Sequence, residues 1–120
     1  MTRVMIIDDA KFMRTLIKKA LEDAGFEVVG EADNGEKAIE VFKEVNPDIV
    51  TLDVVMPDKS GIEVLKEILK IKPDVKVIIV SAMGQTDMIT EALNLGAKDY
   101  VVKPFQPHTL VEVIKRVAQS

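Results

Sequence analysis

Short apolar runs alternate along this chain with longer stretches in which apolar residues recur every three or four positions. The runs VMIID (residues 4–8), FEVVGEA (26–32), DIVTLD (48–53), KVIIVSA (76–82) and DYVVK (99–103) predict five strands. Four of them are nearly continuous in Val, Ile and Leu, the pattern of parallel strands covered on both faces. FEVVGEA is more polar and suits an edge. Between the strands, Phe12, Leu16, Ile17, Ala20, Leu21 and Ala24 fall at helical spacing before Gly25, a helix stop. Ala38, Ile39, Val41, Phe42 and Val45 do the same ahead of Asn46-Pro47, and Ile62 to Ile71 follow Ser60-Gly61. A fourth helix, TDMITEALNL, closes at Gly96, and a fifth starts near Pro107, a residue suited to a first helical turn. Five strand–helix units on short loops predict an α/β fold, with an open, mostly parallel sheet covered by helices on both sides.

A length of 120 residues suits one core, and no linker or low-complexity segment divides it, so residues 1–120 read as a single domain. The net charge of -4 argues against nucleic acid or an anionic membrane as partner and leaves proteins and small phosphates. With no cysteine, disulfides and thiolate metal sites are excluded. No apolar run reaches membrane-spanning length and no signal-peptide pattern opens the chain, so a cytoplasmic monomer is expected.

The polar residues sort by strand end. Asp8 and Asp9 close the first strand, Asp53 the third, Ser81 the fourth and Lys103 the fifth. In an open α/β sheet the carboxyl ends share one edge, where the change of connection direction opens a crevice, so these five residues are expected to meet. Taken singly each has an ordinary explanation: Asp9 suits a helix N-cap, Ser81 a turn hydroxyl, Lys103 a solvated charge. Together they suggest more. Clustered carboxylates repel unless a cation neutralises them, and an all-oxygen site completed by water and a phosphate suits Mg2+. Lys103 and Ser81 then supply a cation and a donor for phosphoryl oxygens, which points to phosphoryl transfer onto a carboxylate. Spacing alone does not choose the acceptor, although Asp53 stands singly on a central strand.

Asp8-Asp9, Asp53 followed by Met56-Pro57 and Gly61, Ser81-Ala82, and Lys103-Pro104-Phe105 together resemble the receiver domain of two-component response regulators, over essentially the whole chain. DDAKFMR, SAMG and KPFQP are most similar to single-domain chemotaxis members of that family. The resemblance implies a doubly wound, flavodoxin-like five-stranded parallel sheet of order 2-1-3-4-5. It implies that Asp53 takes a phosphoryl group from a sensor histidine kinase. Asp9 and Asp53 would hold Mg2+ by their side chains, Asp8 would act through water, and the Val55 backbone carbonyl would complete the protein ligands. Lys103 would pair with the phosphoryl group, Ser81 would turn inward to it, Tyr100 would swing with Ser81, and the bond before Pro104 would be cis.

Output would then be a change of binding partner, with a motor-switch or adaptor protein as target and a phosphatase as a further partner. Ile89, on the less buried flank of its helix, with Tyr100 and Val102 on the last strand, forms the candidate partner patch. Val55 and Met83, two residues after Asp53 and Ser81, are apolar where relatives often carry polar side chains. Slow self-dephosphorylation is expected, and Val55→Asn should change that rate; an unchanged rate would contradict it. His108 reads as a surface residue, since no second imidazole stands near it, and Met5, Met13, Met56, Met83 and Met88 read as packing. Three other readings compete. A small phosphatase would need a second acid two residues after the nucleophile, where Val55 stands. A vestigial pocket would not keep a full set of groups. A phosphorelay intermediate needs the same pocket and is not separated by sequence.

Overall fold

A computed structural model describes all residues 1–120 as β1 (Arg3–Ile7), α1 (Lys11–Asp23), β2 (Glu27–Ala32), α2 (Gly35–Val45), β3 (Ile49–Asp53), α3 (Gly61–Ile71), β4 (Lys76–Ala82), α4 (Thr86–Leu95), β5 (Asp99–Lys103) and α5 (Pro107–Ala118). The strands form one sheet in the order β2-β1-β3-β4-β5, and every neighbouring pair is parallel. The polar second run is indeed an edge, while every residue of β3 is buried.

Successive strand residues point to opposite faces, so one continuous apolar run feeds two cores. Met5, Ile7, Val50, Leu52, Val77 and Ile79 pack under α2, α3 and α4, against Phe42, Leu65 and Ile68. Val4, Ile6, Ile49, Ile78 and Val101 pack under α1 and α5, against Ile17, Leu21, Leu110 and Ile114. Two of the five helices, α2 and α3, start on a side-chain acceptor that the sequence supplies. Asn34 takes the Lys37 N–H at the head of α2, and Ser60 takes the Ile62 N–H at the head of α3.

Three apolar residues lie elsewhere than periodicity places them. Phe12 is 77% exposed, because α1 turns Ile17 and Leu21 inward and Phe12 stands about 140° round the helix from Ile17. Ile89 is buried, at 8% exposure, rather than on an open flank. It lies one turn from the fully buried Ala92 on the sheet-facing side of α4, and the exposed apolar residues of that helix are Leu93 and Leu95. Ile89 therefore leaves the candidate partner patch. Met83 is exposed on the β4–α4 loop, whereas Met5 and Met56 are core residues. No helix is long and apolar enough to cross a membrane.

Candidate functional site

The carboxyl ends of β1, β3, β4 and β5 bring the five polar residues to one edge of the sheet, as their positions at strand ends require. Asp8, just past β1, is buried, and its Oδ1 accepts the Ala10 N–H at 2.9 Å. Asp9 is exposed and caps nothing: the residue before α1 is Ala10, and no side chain caps that helix. The N-cap explanation for Asp9 therefore fails, which leaves its carboxylate free for the site. Asp53, the last residue of β3, is 6% exposed, and its Oδ1 accepts the Val55 N–H at 3.1 Å. Carboxylate oxygens of Asp8, Asp9 and Asp53 lie within 4.8 Å of one another.

Lys103 reaches in from the edge strand β5 and bridges two of these acids. Its Nζ donates to Asp8 Oδ2 at 2.8 Å and to Asp53 Oδ2 at 3.4 Å. Burial pushes the Asp53 carboxyl above its ordinary value, and the neighbouring Asp8 charge adds to that. The Val55 N–H and Lys103 oppose the rise without cancelling it. Burial works against the Lys103 ammonium, but its hydrogen bond to Asp8 and the charges of Asp53 and Asp8 prevail and hold it above the usual lysine value. One ammonium thus faces a cluster of three carboxylates and pairs with two of them, and negative charge remains in excess. A donor set made only of carboxylates, with no imidazole or thiol, fits a hard divalent cation that would supply the missing positive charge.

Ser81 lies on β4, one residue beyond the Val80 that pairs with Asp53, and is fully buried. Its Oγ has no hydrogen-bond partner. An orphaned hydroxyl is costly in a native core. The Lys103–Pro104 bond is cis. Val55 and Met83 flank the site with exposed apolar side chains. Tyr100 is exposed and Val102 half-buried, and both line a groove between β5 and α5 with Pro104, Phe105, Thr109 and Val113.

Two residues that fasten the loops around the site escape a sequence reading. Arg14 donates to the Asp8 carbonyl at 2.7 Å and pairs with Glu31 on β2 at 3.3 Å, fastening the β1–α1 turn. Asp58 accepts backbone N–H groups from the start of α2. Neither shows in periodicity, because each acts on backbone that only the fold brings near. Gly61, by contrast, is legible in its motif: a Cβ there would strike Val54 Cα and the Asp53 carbonyl, so only glycine lets α3 start against the end of β3.

The model of the response regulator receiver domain matches residues 4–115. The chain belongs to the response regulator receiver domain family. Such domains are the phosphorylation switches of two-component systems, and the chemotaxis protein CheY of Thermotoga maritima is 53% identical to this receiver over 98% of both chains. Among solved structures, the CheX-CheY-BeF3-Mg+2 complex from Borrelia burgdorferi matches with a TM-score of 0.91 and 32% identity, over 97% of this receiver and 88% of that chain. NtrX from Brucella abortus matches with a TM-score of 0.93 and 28% identity over 98% of this receiver, which spans only 27% of that longer chain.

Proposed function

We propose that this receiver accepts a phosphoryl group on Asp53 from a histidine kinase and then exchanges one protein partner for another, most directly in chemotaxis. The observation that carries this is the placement of Asp53: a buried, charge-disfavoured carboxylate within reach of two further acids and a bridging ammonium. In transfer, the N–P bond of a phosphohistidine breaks, its electron pair stays on the imidazole, and an Asp53 Oδ bonds to phosphorus. Asp9, Asp53 and the Val55 carbonyl would hold Mg2+, with Asp8 acting through water. When bound, Mg2+ draws charge from the phosphoryl oxygens. Lys103 exchanges part of its contact with Asp53 for a phosphoryl oxygen, and the Ser81 Oγ turns to donate to another. The space Ser81 leaves admits Tyr100, and the surface of β5 changes shape at Tyr100 and Val102.

Small phosphodonors would serve in place of the kinase, because the chain's own site does the chemistry; no separate substrate is turned over. The CheY relatives and the CheX-bound structure support a chemotaxis pathway and a CheX-like partner; on this reading a chemotaxis kinase is the donor, a motor-switch or adaptor protein the target, and a phosphatase the terminator. All act in the cytoplasm on this reading. A radiolabelled phosphohistidine domain from a chemotaxis kinase tests it. Label should move to this chain in Mg2+ and stay put when the metal is chelated. No transfer to the folded chain would overturn the reading. Onward passage of label to a second histidine domain would favour a phosphorelay intermediate instead.

A further inference from the structure

The loop between β3 and α3 carries the Val55 carbonyl, and it is fastened at three places. Near its start the Val55 N–H donates to Asp53 itself. At its close the Gly61 N–H donates to the Val54 carbonyl at 2.8 Å. Both bonds lie within the loop and its ends. The third reaches across to another element. Asp58 Oδ1 accepts the Gly35 N–H at 2.7 Å and Oδ2 accepts the Glu36 N–H at 2.9 Å, at the first two positions of α2. The same Oδ1 takes the Lys59 N–H at 3.0 Å. The Lys59 stem then lies over Gly35, where any Cβ would strike it, and its ammonium meets Glu67 on α3 at 3.4 Å.

This tether is more than an ordinary cap. The Lys37 N–H already goes to the Asn34 side chain and the Ala38 N–H to the Asn34 carbonyl. Asp58 takes those of Gly35 and Glu36, two of the N–H groups that a helix start leaves without a partner inside the helix. Its carboxyl is also held below the ordinary carboxylate value, chiefly by the Gly35 and Glu36 N–H groups, so it is charged at neutral pH and suits the positive end of the helix.

We propose that Asp58 is a positioning residue for the metal site: by tying the β3–α3 loop to α2 it fixes the segment bearing the Val55 carbonyl, and thereby sets the affinity for Mg2+. The inference rests on the metal reading given above. A coordinating carbonyl on a loose loop must be ordered when the cation binds, and that ordering weakens binding. Partners that hold ligands in place typically change metal affinity by tenfold or more when lost.

Calorimetric titration of the unphosphorylated protein with MgCl2 tests the proposal on wild type, Asp58→Ala, Asp58→Asn and Asn34→Ala, each first checked for fold by circular dichroism and melting. Asn34→Ala weakens the same helix start but leaves the tether in place. The expected Kd for Mg2+ rises about tenfold in Asp58→Ala. Asp58→Asn, which keeps one acceptor, falls between that and wild type. Asn34→Ala melts earlier yet binds Mg2+ as wild type does. Phosphorylation of Asp58→Ala by acetyl phosphate should recover its rate when Mg2+ is saturating, an effect on apparent affinity rather than on the maximal rate. Unchanged Mg2+ affinity in both Asp58 variants would overturn the proposal. Equal weakening by Asn34→Ala would also overturn it, since a general loosening of α2 would then suffice. Wild type failing to bind Mg2+ would bring down the metal reading itself and this inference with it, an outcome separable from the other two.

Discussion

Asp53 and Ser81 are both buried at the end of neighbouring strands, and burial acts on them differently. For Asp53 it disfavours the charge, which favours any event that brings positive charge or removes negative charge. For Ser81 it leaves a neutral hydroxyl without a partner, at a cost of about 1–3 kcal/mol for such a group. Ser81→Ala is therefore expected to leave stability unchanged or raise it by about 1 kcal/mol in urea denaturation. The same change should cut the gain in partner affinity on phosphorylation by roughly 10- to 150-fold, the worth of one charge-assisted hydrogen bond. A destabilised variant that still switched fully would mean that Ser81 is a packing residue. At this scale the acids, the hydroxyl and the ammonium were legible because strand ends must converge. Asp58 and Arg14 were not, since a side chain that accepts from or donates to distant backbone carries no local signature.

At the scale of elements, the strands were legible almost residue for residue. A run such as KVIIVSA is apolar on both faces, which only a covered parallel strand requires, and β4 spans those residues. Helix existence was equally plain, but which face points inward was not: the apolar residues of α4 cover more than one stripe, and packing alone chose Ile89 and Ala92 over Leu93 and Leu95. Between elements, the Asp58 tether gives a pH dependence with a definite sign. Its folded-state carboxyl lies below the ordinary value, so its contribution is complete above the usual carboxylate range and is lost as pH falls through the depressed folded value. The Gly35 and Glu36 amide resonances are expected to titrate together with a midpoint below that of an ordinary aspartate. A normal midpoint in an NMR titration would show that the tether is not formed in solution.

Over the whole molecule, the strand order places Asp53, the proposed acceptor, near the middle of the sheet and the proposed responsive surface, at Tyr100 and Val102, on the edge strand β5. Lys103 and Ser81 link them, since both lie on the β4–β5 pair. One charge-assisted hydrogen bond contributes about 1.5–3 kcal/mol, whereas a switch from 1:99 to 99:1 needs about 5.5 kcal/mol. The unphosphorylated receiver should therefore populate its active arrangement to a detectable degree, with metal, Lys103 and partner contributing the rest. Relaxation-dispersion NMR is expected to show exchange at Ser81 and Tyr100; a single state at both would contradict it. The most direct measurement is intact mass after incubation with Mg2+ and acetyl phosphate, on the parent and on Asp53→Asn. Gain of one phosphoryl group by the parent alone is expected. No gain by the folded parent, or an equal gain by Asp53→Asn, would contradict the assignment of Asp53 as the acceptor on which the switch depends.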